Sequence, residues 1–182
     1  MDRAARPLRR RRRLAPEVDA PGRRRLPVLL RRAWYGLNQV FRRRVAALGV
    51  TPDQCTILRW LHEAPPEGMT QRQLGLLMSS DPNTIASLLN RMRQLGLIER
   101  QRHSRDARCN LVRVTPKGRL LFRKTRPIAA NWQREALAVI PPGRRESFLR
   151  DLEAVGDITQ MELARSRGAG LTRDDDGPQA RA

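Results

Sequence analysis

The chain has 182 residues, 40 % of them hydrophobic and 4 % aromatic, and it carries a formal net charge of +19. This length accommodates one compact domain with tails, and no apolar run approaches the roughly 20 residues that span a bilayer, which argues against a membrane protein. A surface this basic attracts polyanions, so nucleic acid is the expected partner.

Export and catalytic signals are missing from the sequence. The two cysteines, Cys55 and Cys109, are too few for a disulfide framework and have no metal-ligand spacing. The arginine run at 9–13 is not followed by the apolar stretch of a secretory signal, so we expect a cytoplasmic protein. Without a glycine-rich phosphate loop, a Gly-x-Ser-x-Gly motif or a His/Cys cluster, we predict no enzymatic activity, no cofactor, no metal site and no membrane partner.

Composition divides the chain into three stretches. Residues 1–25 contain ten arginines and almost no bulky apolar side chains, so they bury too little surface to offset the chain entropy lost on folding. We predict a disordered arginine-rich arm there and a second disordered tail at 164–182, which is rich in Gly, Asp and Arg. The folded domain is then 26–163, with a central segment at 51–118 and flanking helices at 26–49 and 116–163.

Helix starts in the folded part are marked by capping residues. Thr51, Asp81 and Thr115 each precede a proline, which is well tolerated at the first helical position. Thr51 and Thr70 also have a glutamine three residues later, which is the spacing of a capping box. The sequence therefore indicates helices that begin at 52, 71, 82 and 116.

In chain order, the pattern predicts six helices and one β-hairpin. The predicted helices span 26–48, 52–63, 71–78, 82–95, 116–139 and 142–163. Gly96 is expected to end the fourth helix, and Pro127 to bend or interrupt the fifth. Two short strands at 98–102 and 111–114, joined by a polar loop at 103–110, form a hairpin or wing. The expected fold class is mainly α with this small β-hairpin wing.

The fourth predicted helix separates two faces at about 100° per residue. One arc collects Ile85, Leu88, Leu89, Met92 and Leu95, and the opposite arc collects Asn83, Thr84, Ser87, Asn90, Arg91 and Gln94. Asn and Gln pair with adenine, Arg pairs with guanine or phosphate, and small Ser and Thr let a helix enter a groove deeply. Ser79 and Ser80 lie where backbone amides could also hold a phosphate. An ordinary polar surface helix remains the alternative.

The predicted wing carries arginines at its tip. Arg102, Arg105 and Arg108 lie within or beside the loop, and such a wing can enter a minor groove, where the negative potential is concentrated. Asp106 is unfavourable near phosphates unless it pairs locally, so we expect it to orient Arg105 or Arg108 by a charge-assisted hydrogen bond. A solvated charged turn is the alternative interpretation.

Several short motifs follow one another between Leu48 and Gly118. They are Leu48–Pro52, Thr70–Leu74, Asn83–Ile85, Leu95–Arg100, Arg105–Arg108 and Val112–Gly118. With these motifs the chain resembles the MarR-type multiple-antibiotic-resistance regulators. The Arg-Asp-x-Arg wing followed by Leu-Val-Arg-Val-Thr and a glycine is the specific part of the resemblance, since a helix-turn-helix pattern alone is common.

The resemblance implies a winged helix-turn-helix with flanking dimerisation helices. A homodimer would then bind double-stranded DNA at an inverted-repeat operator, with the fourth helix in the major groove and the wing in the flanking minor groove. The expected function is sequence-specific transcriptional regulation, with repression as the commoner mode of the family. The predicted DNA contacts are Ser80, Asn83, Thr84, Ser87, Asn90, Arg91, Arg102, Arg105 and Arg108, with Asp106 as the orienting acid.

Apolar side chains of the flanking helices are candidates for the dimer interface. They are Leu26, Leu29, Leu30, Leu37, Val40, Leu120, Phe122, Leu137, Phe148, Leu149 and Leu152. Each of them would suit the core of its own chain equally well.

A small aromatic effector is also implied by the resemblance. The candidate pocket residues are Trp34, Tyr35, Asn38, Arg59 and His62, although such side chains on helices commonly belong to a core. Cys55 shares a helix face with Leu58 and His62, which predicts a buried structural thiol rather than a redox sensor. Cys109 lies on the wing, where modification would disturb DNA contacts.

A second function class accounts for the charge alone. In a non-specific arginine-rich nucleic-acid or nucleoid-binding protein, the arm at 1–25 would supply most of the affinity through phosphates. Such binding falls steeply with salt and shows little preference among duplexes, whereas a regulator retains a preferred site when the arm is removed.

Overall fold

Capping residues begin the helices of the central segment, as the sequence predicts. The Thr51 hydroxyl accepts a hydrogen bond from the Gln54 amide, and the Gln54 side chain accepts one from the Thr51 amide, which completes a capping box. Thr70 begins a second capping box. Asp81 and Thr115 cap the helices that begin at Pro82 and Pro116. All four predicted helix starts are confirmed.

The computed structural model describes residues 25–102 and 110–170, with side-chain surroundings for 25–101 and 111–165. Its elements are α1 (Arg25–Val45), a 3-10 turn (Ala46–Leu48), α2 (Pro52–Glu63), β1 (Met69–Thr70), α3 (Gln71–Leu77), α4 (Pro82–Gln94), β2 (Ile98–Arg102), β3 (Asn110–Val114), α5 (Pro116–Leu137) and α6 (Pro142–Gly170). No helix within the described ranges combines the length and the apolar character needed to cross a membrane.

The chain separates into two units, 1–40 and 41–182. In the first unit, the described part of α1 exposes apolar side chains, among them Leu26, Leu29 and Leu37. The second unit contains the hydrophobic core, to which α2, α3, α4, α5 and the sheet all contribute side chains. Its fully buried side chains include Ile57, Leu58, Leu74, Ile85, Leu89, Met92 and Ile98.

The sheet has three antiparallel strands in the order β1–β3–β2, one strand more than the predicted hairpin. Met69 pairs with Val112 of β3, so the third strand is only two residues long. Gly68 precedes it with a φ of +91°, and a Cβ there would collide with the Val112 carbonyl. Only a residue without a side chain lets the chain approach β3 this closely.

The structure explains why the Val112–Gly118 motif ends in glycine. Although this residue lies in the first turn of α5, a Cβ on it would overlap the Leu97 carbonyl oxygen and the Val114 side chain. The same region is tied by a hydrogen bond from the Thr115 amide to the Leu97 carbonyl at 3.1 Å. Glycine therefore permits α5 to pack directly on the start of the wing.

α1, α5 and α6 differ from the prediction. α1 ends at Val45 instead of residue 48, since residues 46–48 form a 3-10 turn. α5 runs without interruption through Pro127, so the predicted interruption is wrong, and a bend there stays a prediction. Proline removes one backbone hydrogen bond from the helix. Packing on both sides of Pro127 holds the helix in place, because Thr125 is buried and Ile128 contacts the core. α6 continues to Gly170 instead of ending at Leu163, because the first glycine after Leu163 is Gly168 and the intervening residues suit a helix.

The end of α1 that lies in the second unit is held on α5 by an ion pair. The Arg44 guanidinium donates hydrogen bonds of 3.0 and 2.6 Å to the two Glu135 carboxylate oxygens and lies 4.7 Å from the centre of the Trp132 ring. The hydrogen bonds from Arg44 hold the pKa of Glu135 below its usual value and raise that of Arg44. This arrangement fixes the last turn of α1 against α5.

Candidate nucleic-acid interface

α4 has the two faces that the sequence predicts. Ile85, Leu89 and Met92 are fully buried in the hydrophobic core of the winged lobe, which is the part of the second unit from α2 to the start of α5. The six polar residues of the opposite arc, Asn83, Thr84, Ser87, Asn90, Arg91 and Gln94, are all exposed. Leu95 is the exception, because the helix ends at Gln94 and the Leu95 side chain turns away from the core, 44 % exposed.

Asp81 occupies the backbone amides at the start of α4. Its carboxylate accepts hydrogen bonds from the Asn83 amide at 3.0 Å and the Thr84 amide at 2.9 Å, while the Ile85 amide donates to the Asp81 carbonyl. Hydrogen bonds from the Thr84 side chain and backbone, together with the Asn83 amide, hold the pKa of Asp81 below its ordinary value. The carboxylate therefore stays charged and keeps these amides from other anions.

The turn before α4 uses its amides within the protein too. The Ser79 amide donates to the Leu76 carbonyl at 3.0 Å, and the Ser80 amide donates to the Gly75 carbonyl at 3.1 Å. The expectation that the amides around Ser79 and Ser80 hold a phosphate is therefore wrong. Ser79 has a left-handed φ of +48°, and its hydroxyl accepts a hydrogen bond from Gln160 of α6 at 2.5 Å.

The carbonyl groups at the C-terminal end of α4 accept hydrogen bonds from the segment that follows the wing. Gly96 has a φ of +68° and ends the helix as predicted, with a hydrogen bond from the Leu97 amide to the Met92 carbonyl. The Thr115 hydroxyl donates to the Gly96 carbonyl at 2.7 Å, and the Lys117 ammonium donates to the Leu95 carbonyl at 2.8 Å. A cation at a helix C-terminus also interacts favourably with the helix dipole.

The wing strands pair in a regular register, with Ile98 opposite Val114 and Arg102 opposite Asn110. Arg113 on β3 donates a hydrogen bond of 2.6 Å to the Gln101 side chain on β2. The predicted contacts Arg105 and Arg108, the orienting Asp106 and the second cysteine, Cys109, lie outside the described residues, as does the side chain of Arg102.

Positive charge on the lobe is little compensated by the described side chains. α4 contains no acidic residue, and it carries Arg91 and Arg93 exposed in its last turns. The three ion pairs among the described side chains join Arg44 to Glu135, Arg59 to Glu63 and Arg165 to Glu162, all away from α4. An exposed face of hydrogen-bonding and cationic groups is suited to the bases and phosphates of a duplex.

One residue beside this surface was missed in the sequence. Gln71, the first residue of α3, donates a hydrogen bond from its side chain to the Pro82 carbonyl, and its side-chain oxygen accepts one from Arg100. These partners are 11 and 29 residues away, so no local pattern connects them. The position of Gln71 directly after a capping threonine was the only available signal.

The candidate effector residues are divided among several places. Trp34 and Tyr35 are 63 % and 59 % exposed on α1, and the Asn38 amide donates to the Trp34 carbonyl. Within the second unit, Arg59 lines a cavity of about 240 Å³, whereas the His62 ring lies 4.6 Å from that of Phe122. The cavity lining also includes Phe41, Cys55, Thr125, Arg126, Ala129 and Gln133.

The prediction of a buried Cys55 thiol is confirmed. Burial raises the pKa of Cys55 to about 11, a shift that a hydrogen bond with Thr125 only partly offsets. Because the thiolate is the reactive form, almost all of this cysteine is unreactive at neutral pH. Of the proposed dimer side chains, Phe122 is also buried in the core of its own chain.

These features define a winged helix-turn-helix in which α3 and α4 are joined by a tight turn and a basic hairpin stands beside α4. The comparisons with known proteins agree. The model of the MarR family matches residues 48–108. A probable transcriptional regulator from Pseudomonas aeruginosa has 31 % identity and a TM-score of 0.63, over 72 % of this chain and 96 % of that one.

Two further relatives are regulators as well. The transcriptional regulator MOSR from M. tuberculosis, solved in complex with DNA, has 26 % identity and a TM-score of 0.65, over 74 % of this chain and 96 % of that chain. The organic hydroperoxide resistance transcriptional regulator of Bacillus subtilis is 37 % identical over 68 residues, which are 37 % of this chain and 44 % of that protein. The chain belongs to the MarR family of transcriptional regulators.

Proposed function

We propose that this regulator is a homodimeric, sequence-specific repressor that binds an inverted repeat in double-stranded DNA, without enzymatic activity, in the cytoplasm. The observation that carries the proposal is the exposed face of α4, where hydrogen-bonding side chains and Arg91 stand without a neighbouring acid in the helix. A face of this kind reads base edges in a major groove.

The residues proposed to contact DNA divide between α4 and the wing. Asn83, Thr84, Ser87 and Asn90 would meet base edges, and Ser80 and Arg91 would meet bases or phosphates. Arg102, Arg105 and Arg108 would enter the flanking minor groove, with Asp106 orienting one of them. Because Asp81 fills the amides at the start of α4, the phosphates near this end must be held by side chains.

A second copy of the chain is the proposed cover for exposed apolar side chains. Leu26 and Leu29 of α1 are exposed in the first unit, and Phe148, Leu152 and Ile158 of α6 are exposed in the second. Apolar groups that extend along two helices favour association with a partner surface. A two-fold dimer would also present two copies of α4 to the two halves of an inverted repeat.

The proposed site for a small aromatic effector is the cavity between α2 and α5, at the end of α1. The rings of Phe41 and Phe122 supply an apolar lining, and the Arg126 cation suits an acidic substituent, while Arg59 in the same lining is paired with Glu63. Occupancy would move α5 relative to α2 and thereby release DNA. Arg59 is then a direct contact in the proposed pocket, whereas the roles of Trp34, Tyr35, Asn38 and His62 stay predictions from the sequence.

The experiment that tests the proposal is selection of bound duplexes from a random pool by the full chain at about physiological salt. An Arg105→Ala/Arg108→Ala variant is run in parallel. We expect enrichment of an inverted repeat, with weaker enrichment of its flanks by the variant. The absence of any enriched sequence would favour the non-specific arginine-rich binder, whose charge of +19 provides affinity without sequence preference.

A further inference from the structure

The side-chain amide of Gln71 joins three elements of the winged lobe. Its nitrogen donates to the Pro82 carbonyl in the first turn of α4 at 3.4 Å. Its oxygen accepts from the Arg100 guanidinium on β2, also at 3.4 Å. Gln71 itself begins α3 and is half-buried. One side chain thus connects the helix proposed to read the major groove with the strand that leads into the wing.

The orientation of this amide is dictated by its partners. A carbonyl oxygen requires a donor and a guanidinium requires an acceptor, so the NH₂ group must face Pro82 and the oxygen must face Arg100. The reversed amide would bring two donors together on one side and two acceptors on the other. Among the side chains of similar length, only glutamine supplies both functions at once.

The folding of the lobe does not depend on this link. α3 begins at the capping box of Thr70 and Gln73, and α4 begins at the cap that Asp81 provides. β2 is held in register by its backbone pairing with β3 and by the buried Ile98. The two bonds of Gln71 therefore add a connection between elements that are each already specified.

We propose that Gln71 is a positioning residue that sets the distance between α4 and the wing, and with it the spacing in DNA between the major-groove half-site and the flanking minor-groove segment. This inference rests on the proposed function. Each end of the Gln71 amide bonds to a protein partner, and on this proposal the residue acts through α4 and β2 rather than by touching DNA.

The test uses the full chain and the operator obtained by selection with the natural sequence. Gln71→Met removes both hydrogen bonds while keeping the length and helix preference of the side chain. Gln101→Met is the matched control, since it removes a glutamine whose bond to Arg113 stays within the hairpin. Affinities are measured for the operator, for operators with one base pair inserted or deleted between half-site and flank, and for an unrelated duplex.

For the natural chain and for Gln101→Met, a change of one base pair in spacing should lower affinity by about tenfold. For Gln71→Met, we expect weaker operator binding and a spacing penalty reduced to about threefold or less, which is smaller than the usual effect of one mismatched base pair. Affinity for the unrelated duplex and the salt dependence of binding should stay unchanged, because no phosphate contact is lost.

Gln71→Asn and Arg100→Met provide independent tests. The shorter amide of Gln71→Asn cannot reach both partners and should reproduce the relaxed spacing even if the methionine variant folds poorly. Arg100→Met should relax the spacing in the natural background but add little in the Gln71→Met background, because both variants break the same connection.

Two results would overturn the inference while leaving the regulator in place. One is an unchanged spacing penalty in Gln71→Met and Gln71→Asn. The other is an equal loss of affinity for every duplex with a smaller salt dependence, which would make position 71 a phosphate contact. Failure of the natural chain to select any site would instead remove the proposed function, and this inference with it.

Discussion

α4 and α6 use apolar side chains in opposite ways. α4 buries Ile85 and Leu89 completely inside its own chain. α6 leaves Phe148 and Leu152 exposed, at 43 % and 41 %, and further along it exposes Ile158, Met161 and Leu163. Burial of apolar surface supplies most of the driving force for folding, so the lobe around α4 is stabilised by one chain, whereas α6 has most to gain from a second copy.

The largest expected effect is on stability, and it compares the replacement of one leucine by alanine in α4 with the same replacement in α6. Leu89→Ala should lower the free energy of unfolding by about 2–5 kcal/mol, because it leaves a cavity in a closed core. Leu152→Ala, made at a partly exposed position, should lower it by less than about 1 kcal/mol in dilute protein. Urea denaturation followed by circular dichroism measures both, and equal losses would contradict the assignment of Leu152 to an interface.

The next effect concerns association. Phe148→Glu with Leu152→Glu should convert the proposed dimer into a folded monomer, because two charges would have to be buried in an apolar interface. Affinity for the whole operator should fall by about 100-fold or more as the second half-site is lost. Light scattering and DNA titration measure the two quantities.

A matched control for this variant is Gly143→Glu, which adds a carboxylate to α6 where a side chain would meet nothing within 4 Å. It should leave both the mass and the operator affinity unchanged. A dimer that persists in the double variant would show that α6 is not the interface.

Substitutions on the polar face of α4 should affect sequence discrimination rather than stability. Asn83→Ala and Ser87→Ala should each reduce the preference for operator over mismatched duplex by about 1–3 kcal/mol. Thr159→Ala on α6 removes a hydroxyl that donates to the Gly156 carbonyl of the same helix, and it should leave discrimination unchanged. Loss of affinity without loss of preference in the α4 variants would reduce these residues to phosphate contacts.

A smaller effect is expected at Ser79, where the turn before α4 meets α6. Ser79→Gly and Ser79→Ala both remove the hydroxyl that accepts from Gln160, but only glycine relieves the left-handed backbone. The glycine variant should therefore be more stable than the alanine variant by about 1 kcal/mol. Thermal unfolding at one pH measures the difference, and equal stability would argue against strain at this turn.

The smallest effect is a dependence on pH at the start of α4. The hydrogen bonds that lower the pKa of Asp81 stabilise the folded state while the carboxylate is charged. This contribution is present above the ordinary pKa near 3.8 and is lost as pH falls through the lowered value. Asp81→Asn keeps a capping oxygen without a charge, so its melting temperature should fall less than that of the natural chain as pH decreases through the range of about pH 5 to 1, in which such carboxylates lose their charge.

Local chemistry allowed the helix starts and the wing strands to be predicted. The prolines and capping side chains around Thr51, Thr70, Asp81 and Thr115 act within one helical turn, and the structure confirms all four. The strand that the sequence did not predict depends on distant neighbours. β1 exists because Gly68 brings Met69 against β3, more than 40 residues along the chain as the pairing register shows.

In the candidate site too, features set by local sequence could be predicted, whereas features set by tertiary contacts could not. The exposed polar face of α4 follows from helical periodicity, so it could be predicted, apart from Leu95, which lies just beyond the point where the helix ends. The idea of a phosphate at the amides around Ser79 and Ser80 failed because hydrogen bonds inside the protein already occupy them. Gln71 was missed because its partners come from α4 and β2.

The amino-acid sequence alone therefore determined the order and starts of the helices, the two faces of α4, the basic character of the chain and its resemblance to the MarR family. These properties depend on residues within a few positions of one another, or on composition. Only the tertiary structure decided that Phe122 belongs to the core, that Cys55 lies buried beside Thr125, and that Gln71 connects α4 with β2. Such contacts join residues far apart in the chain, and they exist only after packing has brought the elements together.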